Sequence, residues 1–374
     1  MAFAEKSVMS LREEFVRLAL APESNVRELC RRFGVSAPTA YKWMERYAAQ
    51  GREGLADRSR RPHDSPGRIA AAVERRIVAL RDAHPAWGGR KLRRRLLDLK
   101  LAGVPSASTI TQVLRRNGRL ETASTAPRAF IRFEHGAPND LWQMDFKGHF
   151  ALRRGRCHPL TVLDDHSRFA VGLDACADER WTTVQARLTG LFRRYGMPWR
   201  ILADNGSPWG ADAEIPHTLL TVWLLRLGVS VSHGRPYHPQ TQGKAERFHR
   251  SLAAELLTRQ PLSNLEQCQR CFDAWRQIYN AQRPHEALDL QVPLARYRPS
   301  MRAFPETLPA IEYQHGDIVR TVDSEGRISF RNHPLRVSKA FRGYRVALRP
   351  TDTDGRFDIC FADHRIACID LNET

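Results

Sequence analysis

The chain has 374 residues, 42% of them hydrophobic, too many for one ordinary core of ~100–200 residues and enough to bury several. Its 59 Lys and Arg against 41 Asp and Glu leave a formal charge of +18. With an isoelectric point near 10.2, this points to a polyanionic partner, because neutralised phosphates release condensed counterions. No run approaches the ~20 apolar residues of a membrane span and Met1–Arg12 has no apolar signal core, so a soluble intracellular protein without a membrane partner is expected.

Residues 1–50 read as a helix-turn-helix domain. Asn25 and Glu28 form a capping-box pair that starts a helix near Val26, Gly34 supplies the tight turn, and Ser36 caps a third helix. That third helix carries Ala40, Trp43, Met44 and Tyr47 on one face and Thr39, Lys42 and Arg46 on another, as a DNA-reading helix would. A plain three-helix bundle is the alternative. Residues 51–67 form a basic link, expected to be extended, in which Arg58, Arg60 and Arg61 can track phosphates or enter a minor groove. Residues 68–120 give a second, weaker helix-turn-helix pattern. Val73, Ile77 and Leu80 lie on one helix, Leu92, Leu96 and Leu99 on the next, and Ser108 caps Ile110–Arg116. A small, polar linker spans 121–136.

From Asn139 the period changes. "LWQMDF", "PLTVLDD", "RFAVGLDA" and "RILADNG" read as strands, interleaved with helices over Thr182–Tyr195, Pro216–Leu227 and Lys244–Leu257, so a mixed α/β domain with a helical extension is expected over 137–300. Seven scattered cysteines fit a reducing compartment. Cys268 and Cys271 share an apolar helical stripe with Leu265, Phe272, Trp275 and Tyr279, which points to core packing rather than zinc. Over 310–374 the segments "GDIVRTV", "RISF", "YRVALRP" and "FDICFA" predict a small, barrel-like β domain.

Three acids stand out. Asp145 sits inside the first apolar strand, where an uncompensated carboxylate costs several kcal/mol. Asp204 ends another strand, just before Asn205 and Gly206, and Glu246 lies on a helix with Gln242, His249 and Arg250 on the same side. Singly, an edge-strand acid, a turn former and a helix-surface ion pair with Arg250 account for them equally well. Together in a basic α/β domain they suit phosphodiester chemistry, whose usual solution is two hard cations ~3.5–4 Å apart on carboxylate oxygens. Asp145 would bridge both ions, with Asp204 on one and Glu246 on the other. Asp164 and Asp165, at the end of a strand, are expected instead to accept hydrogen bonds from backbone or Arg168.

The blocks "WQMDF", "LDDHSRF", "ADNGSPW", "GRPYHPQTQGKAERFHRSL" and "YNAQRPHEAL", within about Asn139–Tyr297, resemble the catalytic core of bacterial insertion-sequence transposases with a retroviral-integrase-type, ribonuclease-H-like fold. That resemblance implies a multidomain protein: N-terminal all-α helix-turn-helix modules, a core with a mixed five-stranded sheet and flanking helices, and a small C-terminal β domain. It implies a metal-dependent Asp-Asp-Glu triad at Asp145, Asp204 and Glu246, binding two divalent ions, magnesium or manganese in its place, with no organic cofactor. His238, Lys244, Arg247 and Arg250 fall in the segment that holds the DNA end. The expected activity is cleavage and strand transfer at the ends of a mobile element, on double-stranded DNA, by at least a dimer in a bacterial, nucleoid-associated setting. Two departures are the 41 residues between Asp204 and Glu246, a little longer than common and placed in the loop "SPWGADAE", and the lack of a His/Cys zinc signature near the N-terminus. The rivals are a ribonuclease-H-type nuclease that cuts without joining and a non-enzymatic helix-turn-helix regulator.

Overall fold

The computed structural model describes residues 7–57, 69–120, 134–210, 217–233, 243–259 and 261–372. The chain divides into two compact units, Met1–Arg68 and Ile69–Thr374.

The first unit holds α1 (Val8–Ala19), α2 (Val26–Phe33) and α3 (Ala37–Gln50). Local capping sets its boundaries. The Asn25 side chain accepts from the Glu28 N–H, Gly34 takes the left-handed conformation with φ 64°, and Ser36 accepts from the Thr39 N–H. Phe15, Val16, Cys30 and Ala40 form the core, flanked by Trp43, Met44 and Tyr47. The basic link does not begin extended: Gly51–Leu55 is a 3-10 turn, and Leu55 is buried in the same core. Gly54 permits this, since a Cβ there would stand 2.3 Å from the Arg46 carbonyl oxygen. Arg58, Arg60 and Arg61 lie outside the described residues.

The second unit starts with α4 (Ala71–Ala83), α5 (Gly89–Asp98) and α6 (Ala107–Arg116) around Ile77, Trp87, Leu92, Leu96, Ile110 and Val113. Ser106, not Ser108, caps α6 by accepting from the Thr109 N–H. There follow β1 (Leu141–Phe146), the two-residue β2 (Phe150–Ala151), β3 (Arg156–Asp164), β4 (Ala170–Cys176), α7 (Trp181–Tyr195), β5 (Arg200–Ala203), α8 (Leu219–Arg226), β6 (Ser230–His233), α9 (Gly243–Leu252) and α10 (Leu265–Ala281). The sheet is mixed and five strands wide, β4-β3-β1-β5-β6, with β2 added on β3. The β3 strand runs antiparallel to β1 and β4, while β1, β5 and β6 are parallel.

Strand alternation assigns the two faces. Trp142, Met144, Leu160, Val162, Ile201 and Ala203 pack under α7 and α8. On the other face Leu163, Leu173 and Ala175 pack under α9 and α10 through Phe248, Leu252, Cys268, Phe272 and Trp275, so Cys268 is a core residue and Cys271 half-buried beside it.

The C-terminal region forms β7 (Ile318–Thr321), β8 (Arg327–Phe330), β9 (His333–Arg336), β10 (Arg345–Pro350), β11 (Arg356–Phe361) and β12 (His364–Asp370). Its strands make two sheets, β12-β11-β10-β7 and the β8-β9 hairpin, over one core rather than a closed barrel. Val222 and Leu225 of α8 enter that core, which seats the β region on the central sheet. No helix among the described residues is long and apolar enough to cross a membrane.

Buried polar groups pin α9 at both ends. At its start, Lys244 Nζ donates to Asp165 Oδ1 at 2.5 Å, and the fully buried Asp165 carboxylate also takes the His135 N–H (2.9 Å) and Gln143 Nε2 (2.8 Å). Its neighbour Asp164 accepts the backbone N–H groups of Asn139 (2.7 Å) and Ser167 (2.8 Å). Past the other end of α9 comes a π-helical turn, Ala253–Leu257. There Glu255 accepts from the indoles of Trp87 (3.2 Å) and Trp275 (3.0 Å) and from Arg283 Nε (3.1 Å). The Glu255 and Arg283 side chains are only 4% and 7% exposed.

Breaking a buried ion pair from one side strands the other charge, at a cost of about 3–5 kcal/mol. Glu255→Ala should therefore lower the urea midpoint of the second unit sharply, with Glu255→Gln, which keeps the shape and one acceptor oxygen, losing less; an unchanged midpoint would remove Glu255 from the fold's support. Lys244→Ala should cost about 3 kcal/mol by the same reasoning. Its melting temperature should fall in the absence of any DNA, and a wild-type melting curve would mean that this ammonium serves a ligand instead.

Candidate active site

Asp145 is the last but one residue of β1, and Asp204 directly follows β5. These strands are parallel neighbours with Trp142 opposite Ile201 and Gln143 opposite Leu202, so continuing the register brings Asp145 level with Asp204. Alternation turns Asp145 away from Trp142 and Met144 and toward α9, the helix bearing Glu246 in its first turn.

The electrostatics agree with this placement. Burial, then the nearby Asp204, with smaller contributions from Glu179 and Glu246, pushes Asp145 up to about 7, although the Phe146 N–H offsets part of the rise. Burial also raises Asp204, opposed by the Gly206 N–H (3.2 Å to Oδ1) and by His233, whose Nδ1 is 2.7 Å from the Asp204 carbonyl oxygen. Carboxylates gathered in a half-buried place disfavour one another's charged forms.

His249 lies beside Asp145. The Thr161 hydroxyl donates its one proton to the Asp145 carbonyl oxygen (2.8 Å), so at its 2.9 Å contact with His249 Nε2 it must accept. That fixes the Nε2–H tautomer and turns the Nδ1 lone pair toward Asp145 Oδ2, 4.0 Å away. Burial and Lys147 lower His249 to about 4, so the ring is neutral.

The three predicted acids are not equally gathered. Asp145 and Asp204 share one sheet end, whereas Glu246 is exposed on its helix, and among the described residues no group of three or more His, Cys, Asp or Glu is close enough to hold a metal ion. Of the predicted DNA contacts, Arg247 and Arg250 are exposed on α9, while Lys244 is turned in to Asp165. On α3, Lys42 is exposed, Arg46 is half-buried and the Thr39 hydroxyl shares a hydrogen bond with Ser36 at the helix start. His238 and Gln242 fall outside the described residues. Sequence reasoning missed Thr161 and Glu179: a threonine in an apolar strand and an acid in a polar turn carry no local signal, and only the fold brings them to Asp145.

Comparison with known proteins gives matches to domain models along the chain: a helix-turn-helix domain over residues 11–63, a homeodomain-like domain over 39–114, integrase core domains over 135–239 and 227–293, and an IS481 family transposase C-terminal domain over 317–374. An uncharacterized 31.7 kDa protein of insertion element IS407 from Burkholderia multivorans is 29% identical over 158 residues, 42% of this chain and 55% of that protein. An uncharacterized 39.2 kDa protein of insertion element IS476 from Xanthomonas euvesicatoria is 26% identical over 293 residues, 76% of this chain and 79% of that protein. The chain thus spans about half the length of the first relative and four fifths of the second. A solved structure of the HTLV-2 integrase catalytic core domain in complex with magnesium is similar at 15% identity and a TM-score of 0.34, covering 43% of this chain and 97% of that one. A match to a transposase C-terminal domain behind matches to integrase core and helix-turn-helix domains, with relatives encoded by insertion elements, makes the chain similar to insertion-sequence transposases.

Proposed function

We propose that the protein is a DNA transposase that cuts and joins strands at the ends of a mobile element, with Asp145, Asp204 and Glu246 as its acidic triad. The observation that carries this reading is the level placement of Asp145 and Asp204 at the ends of parallel strands β1 and β5, facing the helix of Glu246. The donor set fits a hard divalent cation: burial and the neighbouring acids together hold Asp145 near 7, and oxygen donors so placed favour positive charge between them. Asp145, Asp204 and Glu246 are the residues that would hold magnesium, or manganese, as two ions. When bound, such ions stabilise the charge that builds on phosphate oxygens during in-line displacement.

The chain's own groups supply the rest. Thr161 ties the Asp145 backbone carbonyl and the neutral His249 ring into one wall beside the Asp145 carboxylate. Arg247 and Arg250, exposed on the same helix as Glu246, are placed to take phosphates of the bound end. Water opens the phosphodiester and leaves a 3′ hydroxyl, which then displaces the 3′ oxygen of a target phosphodiester. Both steps pass through the same kind of charged transition state, so one site serves both. Lys42 and Arg46 on α3, with Thr39, are assigned to reading the element end, and joining two ends requires at least a dimer on DNA.

On labelled element ends with magnesium, Asp204→Asn should lose nicking by on the order of 10²–10³-fold or more while still shifting the DNA in a gel; nicking at the wild-type rate sinks the metal assignment. Lys42→Ala and Arg46→Ala should each weaken specific end binding roughly 5- to 100-fold. Footprints identical to wild type in both variants would move sequence reading to another element.

A further inference from the structure

At the opposite end of the sheet from the acids, where β5 and β6 begin, a cleft of about 550 Å³ opens between the core and the β region. His135, Asp140, Trp199, Arg200, Ser230, Arg302, Asp363 and His364 are among its lining residues. Arg200 opens the strand that Asp204 follows, so the two ends stand roughly 13 Å apart along β5.

The cleft displays one large aromatic ring from a fixed backbone. Trp199 is 61% exposed, although its own N–H is bound to the Asn139 carbonyl (2.9 Å) and its carbonyl to the Ser230 N–H (3.0 Å). The Arg302 guanidinium lies over the ring, 4.2 Å from its centroid, and is itself held by the carbonyls of Pro198, Leu227 (3.1 Å) and Gly228 (2.9 Å). One face of the indole is thus backed by an immobilised cation, and the other is left to a ligand. Arg200 is exposed and has no hydrogen-bond or ion-pair partner among the described residues. Asp363, also exposed, stands in the same lining as Ser230 and His364, whose Oγ and Nδ1 are 3.4 Å apart.

We propose that this cleft binds one unpaired nucleotide of a DNA strand, its base stacked on the open face of Trp199, its phosphate on Arg200 and its base edge near Asp363 and Ser230. A flat ring over a cation, an unpaired guanidinium and a few polar groups in a cleft this size suit a nucleotide, and every base offers a face to stack. Bases inside a duplex are closed to such a ring, so the cleft selects a nucleotide that is single-stranded or turned out of the helix. Strand ends and flanks exposed during cutting and joining would supply it. The inference rests on the reading of the chain as a DNA-processing protein, but it does not use the acidic triad.

The test is fluorescence anisotropy on the full chain with a labelled nine-nucleotide single strand, a duplex of the same sequence, and an unlabelled deoxynucleoside monophosphate as competitor. Trp199→Ala should weaken single-strand binding roughly 5- to 100-fold, Trp199→Phe should restore much of it, and duplex binding should stay within twofold. Arg200→Ala should reduce the slope of log affinity against log salt by about 0.7 for the single strand. Ultraviolet cross-linking of a bromouracil strand should map to the peptide carrying Trp199.

Equal loss of single strand and duplex in Trp199→Ala, or no loss at all, overturns the proposal. So does competition by the monophosphate at concentrations matching the strand, which would make a free nucleotide the ligand. Running the same titration on Asp204→Asn separates the two readings: a cleavage-dead protein that still discriminates through Trp199 keeps the cleft, and a nicking-competent protein blind to Trp199 keeps only the triad.

Discussion

Holding several carboxylates at one end of a sheet is electrostatically unfavourable, and the rest of the fold is arranged so that they stay there. Asp145 is only about a quarter exposed and is raised to about 7 by burial and by the acids around it. Near neutral pH a carboxylate in that position is held in its charged form more firmly when something positive approaches. The parallel pairing of β1 and β5 runs to Gln143 and Leu202, two residues short of Asp145 and Asp204, and Asp145 is itself paired with Thr161 of β3, so the two acids leave the sheet side by side.

The helix bearing Glu246 is constrained in a different way. Its face is set by Ala245, Phe248 and Leu252 against the sheet, and its ends are tied by charge: Lys244 to Asp165 before it, Glu255 to Arg283 after it. Because Trp87 also donates to Glu255, the second helical module shares that buried node with the core. The basic side chains divide in two. Lys244 is spent on the fold, while Arg247 and Arg250 on the same helix remain exposed.

How much was legible in the sequence follows from how local each cause is. Asn25, Gly34 and Ser36 announced the boundaries of α2 and α3 because a cap acts within three residues. Asp145 was visible because an acid interrupts an apolar strand. Ser106 and Ser108 look alike as caps, and only backbone geometry chose the first. Leu55 was hidden in a polar run, since its burial depends on packing with α1 and α3 rather than on its neighbours. The β9 strand, His333–Arg336, is mostly exposed and carries no alternating pattern. The Trp87–Glu255 bond joins residues 168 positions apart, and Thr161 reaches His249 across 88, distances at which one sequence offers no signal.

The most direct measurement is divalent-ion binding to the intact protein without DNA, by titration with manganese followed by electron paramagnetic resonance. If the sheet-end carboxylates form an ion site, wild type removes free manganese from the spectrum, and Asp145→Asn gives most of it back while its circular dichroism stays unchanged. A correctly folded Asp145→Asn protein that binds manganese as tightly as wild type would contradict the account.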